Sequence, residues 1–172
     1  TWERTLALTR QPIKAVLIPS PWDLVQRPRN DAIAIGHNAE VQNVPIDGSG
    51  TVASKGSLAI GSDAKVYGAS YSLALGAGAT IAADNLNGNT TNEAIAIGYN
   101  AKVNNNATHA IVIGPTQNAD KADAIAIGYK AFSEKNSMAL GNNAKASEDS
   151  LAIGFGATSS APNAQAFGNG AV

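Results

Sequence analysis

One short phrase occurs nine times in this chain and constrains its fold more than any other feature. Its first copy is Ala32-Ile33-Ala34-Ile35-Gly36, and every copy ends in a glycine. Such regularity predicts a stack of similar rungs with a period of about 14 residues, and not a fold with one central core. The motif glycines, each expected to turn the chain, are Gly36, Gly61, Gly76, Gly98, Gly114, Gly128, Gly141, Gly154 and Gly168.

Each unit has room for two short strands and is too short for a helical hairpin. In the first strand, branched residues such as Ile125 and Ile127 alternate with the small Ala124 and Ala126, so the two sets face opposite ways. The second strand, as in 143–146, has alanines at inward positions and a lysine facing water. The sequence therefore predicts an all-β, parallel β-roll or solenoid of about nine rungs.

The two faces of the first strand are both apolar, which leaves one of them without an obvious cover. We expect the branched residues to fill the core of each chain and the small residues to form an exposed apolar stripe. Soluble monomers rarely tolerate a stripe of that length. We therefore predict a homotrimer, with close approach between chains at Ala34, Ala59, Ala74, Ala96, Ala126, Ala139 and Ala152.

The two widest gaps between motif glycines correspond to insertions within the predicted roll, which spans residues 31–172. These insertions, residues 41–56 and 81–93, are rich in Gly, Asn, Asp, Ser and Thr. This composition favours polar surface loops over additional core strands.

Residues 1–30 belong to no repeat and are broken by Pro12, Pro19, Pro21 and Pro28, which predicts an extended arm. The arm could cap the open end of the roll, as solenoids require. Alternatively, it could anchor the chain to a larger protein scaffold, since Trp and Arg are enriched in binding hot spots. The anchor residues would be Trp2, Arg4, Arg10, Trp22, Arg27 and Arg29.

The overall composition excludes several classes of partner. With 12 basic and 13 acidic residues, the chain has no global charge that favours nucleic acid. It contains no cysteine for disulfides or thiolate zinc sites, and no apolar run long enough to span a membrane. We expect no metal and no other cofactor.

The phrase Ser-(Val/Leu)-Ala-Ile-Gly followed by Asn-Ala-Lys/Thr, repeated about every 14 residues, resembles the YadA-like head repeats of trimeric autotransporter adhesins. This resemblance covers about residues 31–172. It implies a left-handed parallel β-roll, a homotrimer and contact with a surface receptor or matrix protein. Similar rolls occur in phage fibres and virion appendages, which need neither a secretion signal nor a membrane anchor. Because neither is visible in this sequence, we expect a decoration or fibre protein at the virion surface, the alternative being an adhesin head at the bacterial cell surface.

An enzymatic alternative comes from the segment 35–41, which fits one step of a hexapeptide-repeat acyltransferase. Those enzymes continue in steps of six, whereas this chain shows only one such step in each repeat, and His37 is replaced in the other repeats. Neither His37 nor His109 has a cysteine or paired carboxylate at metal-ligand spacing. We therefore expect no catalytic and no metal-binding residues.

The residues that follow the motif glycines vary more than the rung itself. His37, Tyr99, Tyr129 and Phe155 at these positions are possible surface contacts. The alternative is that these side chains pack along the roll from one rung to the next.

Overall fold

The computed structural model describes residues 31–46, 50–52, 54–82, 91–104, 106–119 and 121–172, and these residues form a parallel β-solenoid. Every strand in it has two or three residues. In chain order the strands are β1 Ile33–Ile35, β2 Glu40–Gln42, β3 Val44–Ile46, β4 Gly50–Val52, β5 Leu58–Ile60, β6 Lys65–Tyr67, β7 Leu73–Leu75, β8 Thr80–Ala82, β9 Ile95–Ile97, β10 Lys102–Val103, β11 Ile111–Ile113, β12 Asn118–Ala119, β13 Ile125–Ile127, β14 Phe132–Ser133, β15 Met138–Leu140, β16 Lys145–Ala146, β17 Leu151–Ile153, β18 Thr158–Ser159 and β19 Gln165–Phe167.

Two parallel sheets form the walls of the solenoid, as the two-strand repeat predicts. The first strand of every repeat joins a nine-stranded sheet in the order β1-β5-β7-β9-β11-β13-β15-β17-β19. The second strand joins an eight-stranded sheet that runs from β2 and β6 to β18. Equivalent residues pair directly between neighbours, for example Ile97 with Ile113 and Ile113 with Ile127. The predicted all-β, parallel solenoid is therefore confirmed, with two short strands in each of the first eight rungs.

The core between the sheets is built from small residues, which corrects the predicted facing of the first strand. Its middle alanines are buried and its flanking isoleucines and leucines lie on the outer face. The alanines that we expected at contacts between chains therefore lie inside a single chain: Ala34, Ala59, Ala74, Ala96, Ala126, Ala139 and Ala152. The second strand faces as predicted, with Val66 and Val103 buried.

The physical reason for this facing is the short rung, which brings the two sheets close together. In each of the first four rungs a buried alanine of the nine-stranded sheet accompanies a branched residue of the other, as with Ala96 and Val103. The fifth rung reverses the pair, with Val112 beside Ala119. No rung in the described residues places two branched side chains in these positions, since a close-packed core of this width has no volume for both.

Tight corners with left-handed backbone connect the sheets. At the glycine corner, which follows each strand of the nine-stranded sheet, the motif glycine has φ near 130° and the second residue after it is also left-handed, as at Asn100 (φ 52°). At the opposite corner a left-handed residue precedes the next strand by two positions, as at Asp123 (φ 56°). A Cβ added to Gly61 would lie 2.5 Å from the carbonyl oxygen of Gly76, so the stacking itself requires glycine there.

Each insertion begins slightly further along the chain than the sequence suggests. Strand β2 extends through Gln42 and β8 through Ala82, so Val41 and Ile81 are core residues. The backbone of the first insertion forms an antiparallel hairpin between β3 and β4. Residues 1–30, with the predicted arm and anchor, lie outside the described residues.

Candidate functional site

The outer face of the nine-stranded sheet is an apolar surface formed by equivalent positions of all nine strands. The first and third residues of its strands point outward, and Ile35, for example, is 47% exposed. Gln165 is the one polar residue at these positions, and none of them is charged. The outward residues are Ile33, Ile35, Leu58, Ile60, Leu73, Leu75, Ile95, Ile97, Ile111, Ile113, Ile125, Ile127, Met138, Leu140, Leu151, Ile153, Gln165 and Phe167.

This face runs along the whole stack of nine strands. With strands about 4.8 Å apart, it is roughly 40 Å long. A continuous apolar face of this length is larger than the apolar patches that soluble monomers usually expose. The exposed apolar stripe predicted from sequence therefore exists, but it consists of branched residues and not of alanines. Its chemistry is suited to packing against another apolar surface and not to catalysis.

A shallow groove of about 560 Å³ borders this face at the opposite corner. Asp123, Asn136 and Asp149 line one side of it, while Met138 and Leu151 line the other. The amide Nδ2 of Asn136 donates a 2.9 Å hydrogen bond to Oδ1 of Asp149. The groove thus lies between a row of polar side chains at the corner and the apolar face of the sheet.

The structure places the four predicted surface contacts in one row at the glycine corner. His37 lies in the first rung, Tyr99 in the fourth, Tyr129 in the sixth and Phe155 in the eighth. Backbone hydrogen bonds connect this corner from rung to rung, and Asp63 N–H donates to the carbonyl of His37 at 2.8 Å. All four side chains are exposed.

The polar side chains next to His37 change the pKa of a neighbouring carboxylate, that of Asp63. Hydrogen bonds from the side chain of Asn38 and then from that of Ser62 lower the pKa of the Asp63 carboxyl. Asp63 is fully exposed, so the hydrogen bonds shape the corner and do not create an acid or base suited to catalysis.

His109 lies at the opposite corner between two carboxylates, an arrangement that sequence reasoning did not find. Its Nδ1 is 3.0 Å from Oδ1 of Asp123 and its Nε2 is 3.3 Å from Oε2 of Glu93. The signal was present, because residues 93, 109 and 123 occupy the same position in successive repeats. The carboxylates approach opposite nitrogens of the ring, and the described residues contain no group of His, Asp and Glu that could hold a metal ion.

Gln117 is a second feature that sequence reasoning missed. It occupies the buried position that holds alanine in the other rungs, and its Nε2 donates a 2.8 Å hydrogen bond to the carbonyl of Ile113. Its Oε1 is buried without a hydrogen-bond partner in the described structure. The replacement of Ala by Gln at this position in the repeat was the available signal.

The comparisons with known proteins agree with the geometry. No helix in the described part of the chain has the length and hydropathy needed to cross a bilayer. No curated protein matches the chain. The family model described as the YadA head domain repeat (2 copies) matches residues 53–79, 92–116, 133–149 and 147–171, which together make up just over half of the chain. That family is a non-catalytic adhesin module. The chain, with its parallel two-sheet solenoid and repeated motif glycines, belongs to the YadA head repeat family.

Proposed function

We propose that this chain is the head of a trimeric, surface-exposed attachment protein of the adhesin type. Three copies pack through the outer face of the nine-stranded sheet, and each copy forms a left-handed roll. The observation that carries this proposal is the continuous apolar face, which a family with trimeric heads would cover with two further copies of itself.

The chemistry of the face supports self-association. Fully burying one Ile or Leu side chain contributes roughly 1.5–3 kcal/mol, and the branched side chains here are only partly covered within one chain. Three flat sheets arranged around a threefold axis form a closed assembly in which no apolar face remains free. The trimer contact therefore involves residues such as Ile113 and Ile127, and not the alanines expected from the sequence.

The family match supports the bacterial cell surface as the setting. The expectation of a virion part depended on the lack of a visible secretion signal and membrane anchor in the sequence. No feature of the described residues is specific to a virion. The role of residues 1–30, as a cap or as an anchor to a larger scaffold, stays a prediction within this proposal. Contact with a surface receptor or matrix protein would involve the surfaces that the trimer leaves open.

Light scattering coupled to size-exclusion chromatography tests the assembly. We expect a mass three times the 17.4 kDa of one chain. Ile127→Asp places a charge at the expected contact, where burying it without a partner is costly, and the trimer should dissociate while circular dichroism keeps its strand signal. The matched control is Asn118→Asp, which adds the same charge to the outer face of the eight-stranded sheet and should leave the trimer intact.

A monomeric wild-type chain, or an Ile127→Asp variant that stays trimeric, would contradict this assembly. Attachment is tested separately by coating fluorescent beads with the chain and counting the beads retained on matrix-coated plates. Retention equal to that of uncoated beads would contradict the adhesin function even if the chain is a trimer.

A further inference from the structure

The glycine corner carries a row of exposed aromatic rings between its fourth and eighth rungs. This aromatic row consists of Tyr99, Tyr129 and Phe155 in the fourth, sixth and eighth rungs, and Pro115 and Asn142 hold the equivalent positions in the two rungs between them. Backbone hydrogen bonds hold the row in register: the N–H groups of the next rung donate to the carbonyls of Tyr99, Tyr129 and Asn142 at 2.8 Å each. The aromatic rings thus occur at every second rung, about 10 Å apart.

The rings of this row face solvent and do not pack against one another. Tyr99 is 61% exposed, Tyr129 43% and Phe155 60%. A separation of two rungs exceeds the 4.5–7 Å between centroids at which aromatic rings interact. The expectation that these aromatics pack from rung to rung therefore does not account for their arrangement, and a large part of each ring is open to a ligand.

The surroundings of the row are positively charged, although the roll as a whole is not. Three exposed lysines, Lys102, Lys130 and Lys145, lie at this corner and on the adjoining sheet. The Nζ of Lys130 lies 5.2 Å from the centre of the Tyr129 ring. The corner segments and adjoining strands of these rungs contain no Asp or Glu, namely residues 97–104, 113–119, 127–133, 140–146 and 153–159.

The carboxylates of the same rungs lie at the opposite corner. Glu93, Asp123, Glu148 and Asp149 all belong to it. The acids of these rungs are therefore kept away from the aromatic row, whereas lysines occur at both corners, with Lys121 and Lys135 beside the acids. Exposed asparagines and a threonine next to the rings, Asn100, Thr116 and Asn143, supply hydrogen-bond donors and acceptors.

We propose that the aromatic row binds a linear acidic polysaccharide that runs along the axis of the roll. Sugar rings stack on Tyr99, Tyr129 and Phe155, and the lysines pair with the acidic groups. In an extended β-linked chain every second sugar presents the same face, so one disaccharide corresponds to two rungs. This inference depends on the proposed attachment function, because it names the class of ligand that the head would recognise.

The same features do not fit single-stranded nucleic acid as well. Such strands combine stacked bases with a phosphate at every nucleotide, and the proteins that bind them supply a matching density of positive charge. Here three lysines serve five rungs, and residues 31–172 contain no arginine, the cation that stacks on planar rings. Sparse charge favours a polymer with about one acidic group per disaccharide.

Fluorescence anisotropy with labelled oligosaccharides tests the proposal on the chain as it assembles in solution. The probes are hyaluronan and unsulfated chondroitin oligosaccharides, which each carry one carboxylate per disaccharide, with an uncharged chitin oligosaccharide and oligo(dT) for comparison. We expect the acidic oligosaccharides to bind most tightly. Tyr129→Ala with Phe155→Ala should weaken that binding roughly tenfold or more, in the range of stacking contacts, and so should the combined Lys102→Gln, Lys130→Gln and Lys145→Gln variant, which removes the charge pairs.

Matched controls come from the opposite corner, where Tyr71 and Lys135 are also exposed. Tyr71→Ala and Lys135→Gln should leave the affinity unchanged. Absence of binding to both acidic oligosaccharides, equal binding by the aromatic double variant, or tighter binding of oligo(dT) would overturn the proposal.

Light scattering on the same samples separates the two proposals. A trimer that binds none of the acidic probes overturns the polysaccharide site alone. A monomeric chain overturns the trimeric head, whatever the anisotropy shows.

Discussion

The hydroxyl of Tyr67 donates a 2.8 Å hydrogen bond to Oε2 of Glu40, across the pair of strands β2 and β6. Burial, followed by this hydrogen bond and the charge of Glu40, raises the pKa of Tyr67 to about 12. In the unfolded chain a tyrosine titrates near pH 10. The neutral hydroxyl therefore stabilises the folded chain fully below pH 10, and this contribution is lost as the pH rises towards 12.

The first prediction concerns Tyr67→Phe, which removes that hydroxyl. At neutral pH we expect a loss of about 1 kcal/mol in the free energy of unfolding, typical of one hydrogen bond. Between pH 10 and 12 the variant should lose less stability than the wild type, because it has no raised tyrosine pKa in this region. Thermal unfolding at fixed protein concentration measures both effects, with the exposed Tyr71→Phe as control. Parallel pH profiles for wild type and variant would show that the hydrogen bond does not form.

The second prediction tests the stacking of the motif glycines. Gly61→Ala should destabilise the chain strongly, because φ is 131° and the added Cβ would clash with the carbonyl of Gly76. Backbone strain of this kind alone costs about 1–3 kcal/mol. Gly156 is the control: its φ is 65°, a Cβ there meets no atom within 4 Å, and Gly156→Asn should be tolerated. A similar melting temperature for both variants would refute the steric explanation.

The third prediction uses the pairing of large and small core residues. Ala96→Val adds a branched side chain beside Val103, and overpacking of this kind costs about 1–3 kcal/mol. Ala139→Val makes the same change beside Ala146, which reproduces the natural pair of Val112 and Ala119. We expect chemical denaturation to show a clear loss for the first variant and a much smaller one for the second. An equal loss in both would mean that the width of the core does not limit these residues.

The fourth prediction concerns the point where the first insertion rejoins the roll. Ser54 is fully buried; its Oγ donates to the carbonyl of Gln42 at 2.8 Å and accepts from the N–H of Ala69 at 3.2 Å. Ser54→Ala leaves both backbone groups without this partner, at a cost of about 1–3 kcal/mol. Ser62→Ala, at an exposed serine, should change the free energy of unfolding little. Equal values for the two variants would contradict a specific role for Ser54.

Much of the fold could be predicted because each repeat carries its own polarity signals. The strand positions, the turn at each glycine and the facing of the second strand all agree with the sequence, since Lys65 and Lys102 must reach water while Val66 and Val103 avoid it. Direct pairing between repeats follows from their nearly constant length. These features depend on local chemistry that a single repeat already contains.

The facing of the first strand could not be predicted in this way, because both of its faces are apolar. Alternation shows that Ile127 and Ala126 point in opposite directions, but not which of them points inward. The decisive quantity is the width of the core, which depends on the other strand of the same rung. A branched residue at Val66 or Val103 already fills that width, and the preference for burying the larger side chain gave the wrong answer.

The candidate surfaces were predictable in part for the same reason. The four residues after the motif glycines could be identified as a set because they occupy one position in the repeat. Their two-rung spacing and the separation of charge between the corners need the repeats to be aligned in three dimensions. His109 shows the same limit, since its two acidic neighbours, Glu93 and Asp123, belong to the repeats before and after its own.

Direct pairing between equivalent residues has a consequence for how such a chain can change over generations. Because each unit fits above and below any other, a duplication or loss of one unit in the gene would leave the cross-section intact. It would alter the height of the column by about 4.8 Å. The distance from which the molecule can reach a target is thus adjustable in small, equal steps, without redesign of any contact within a unit.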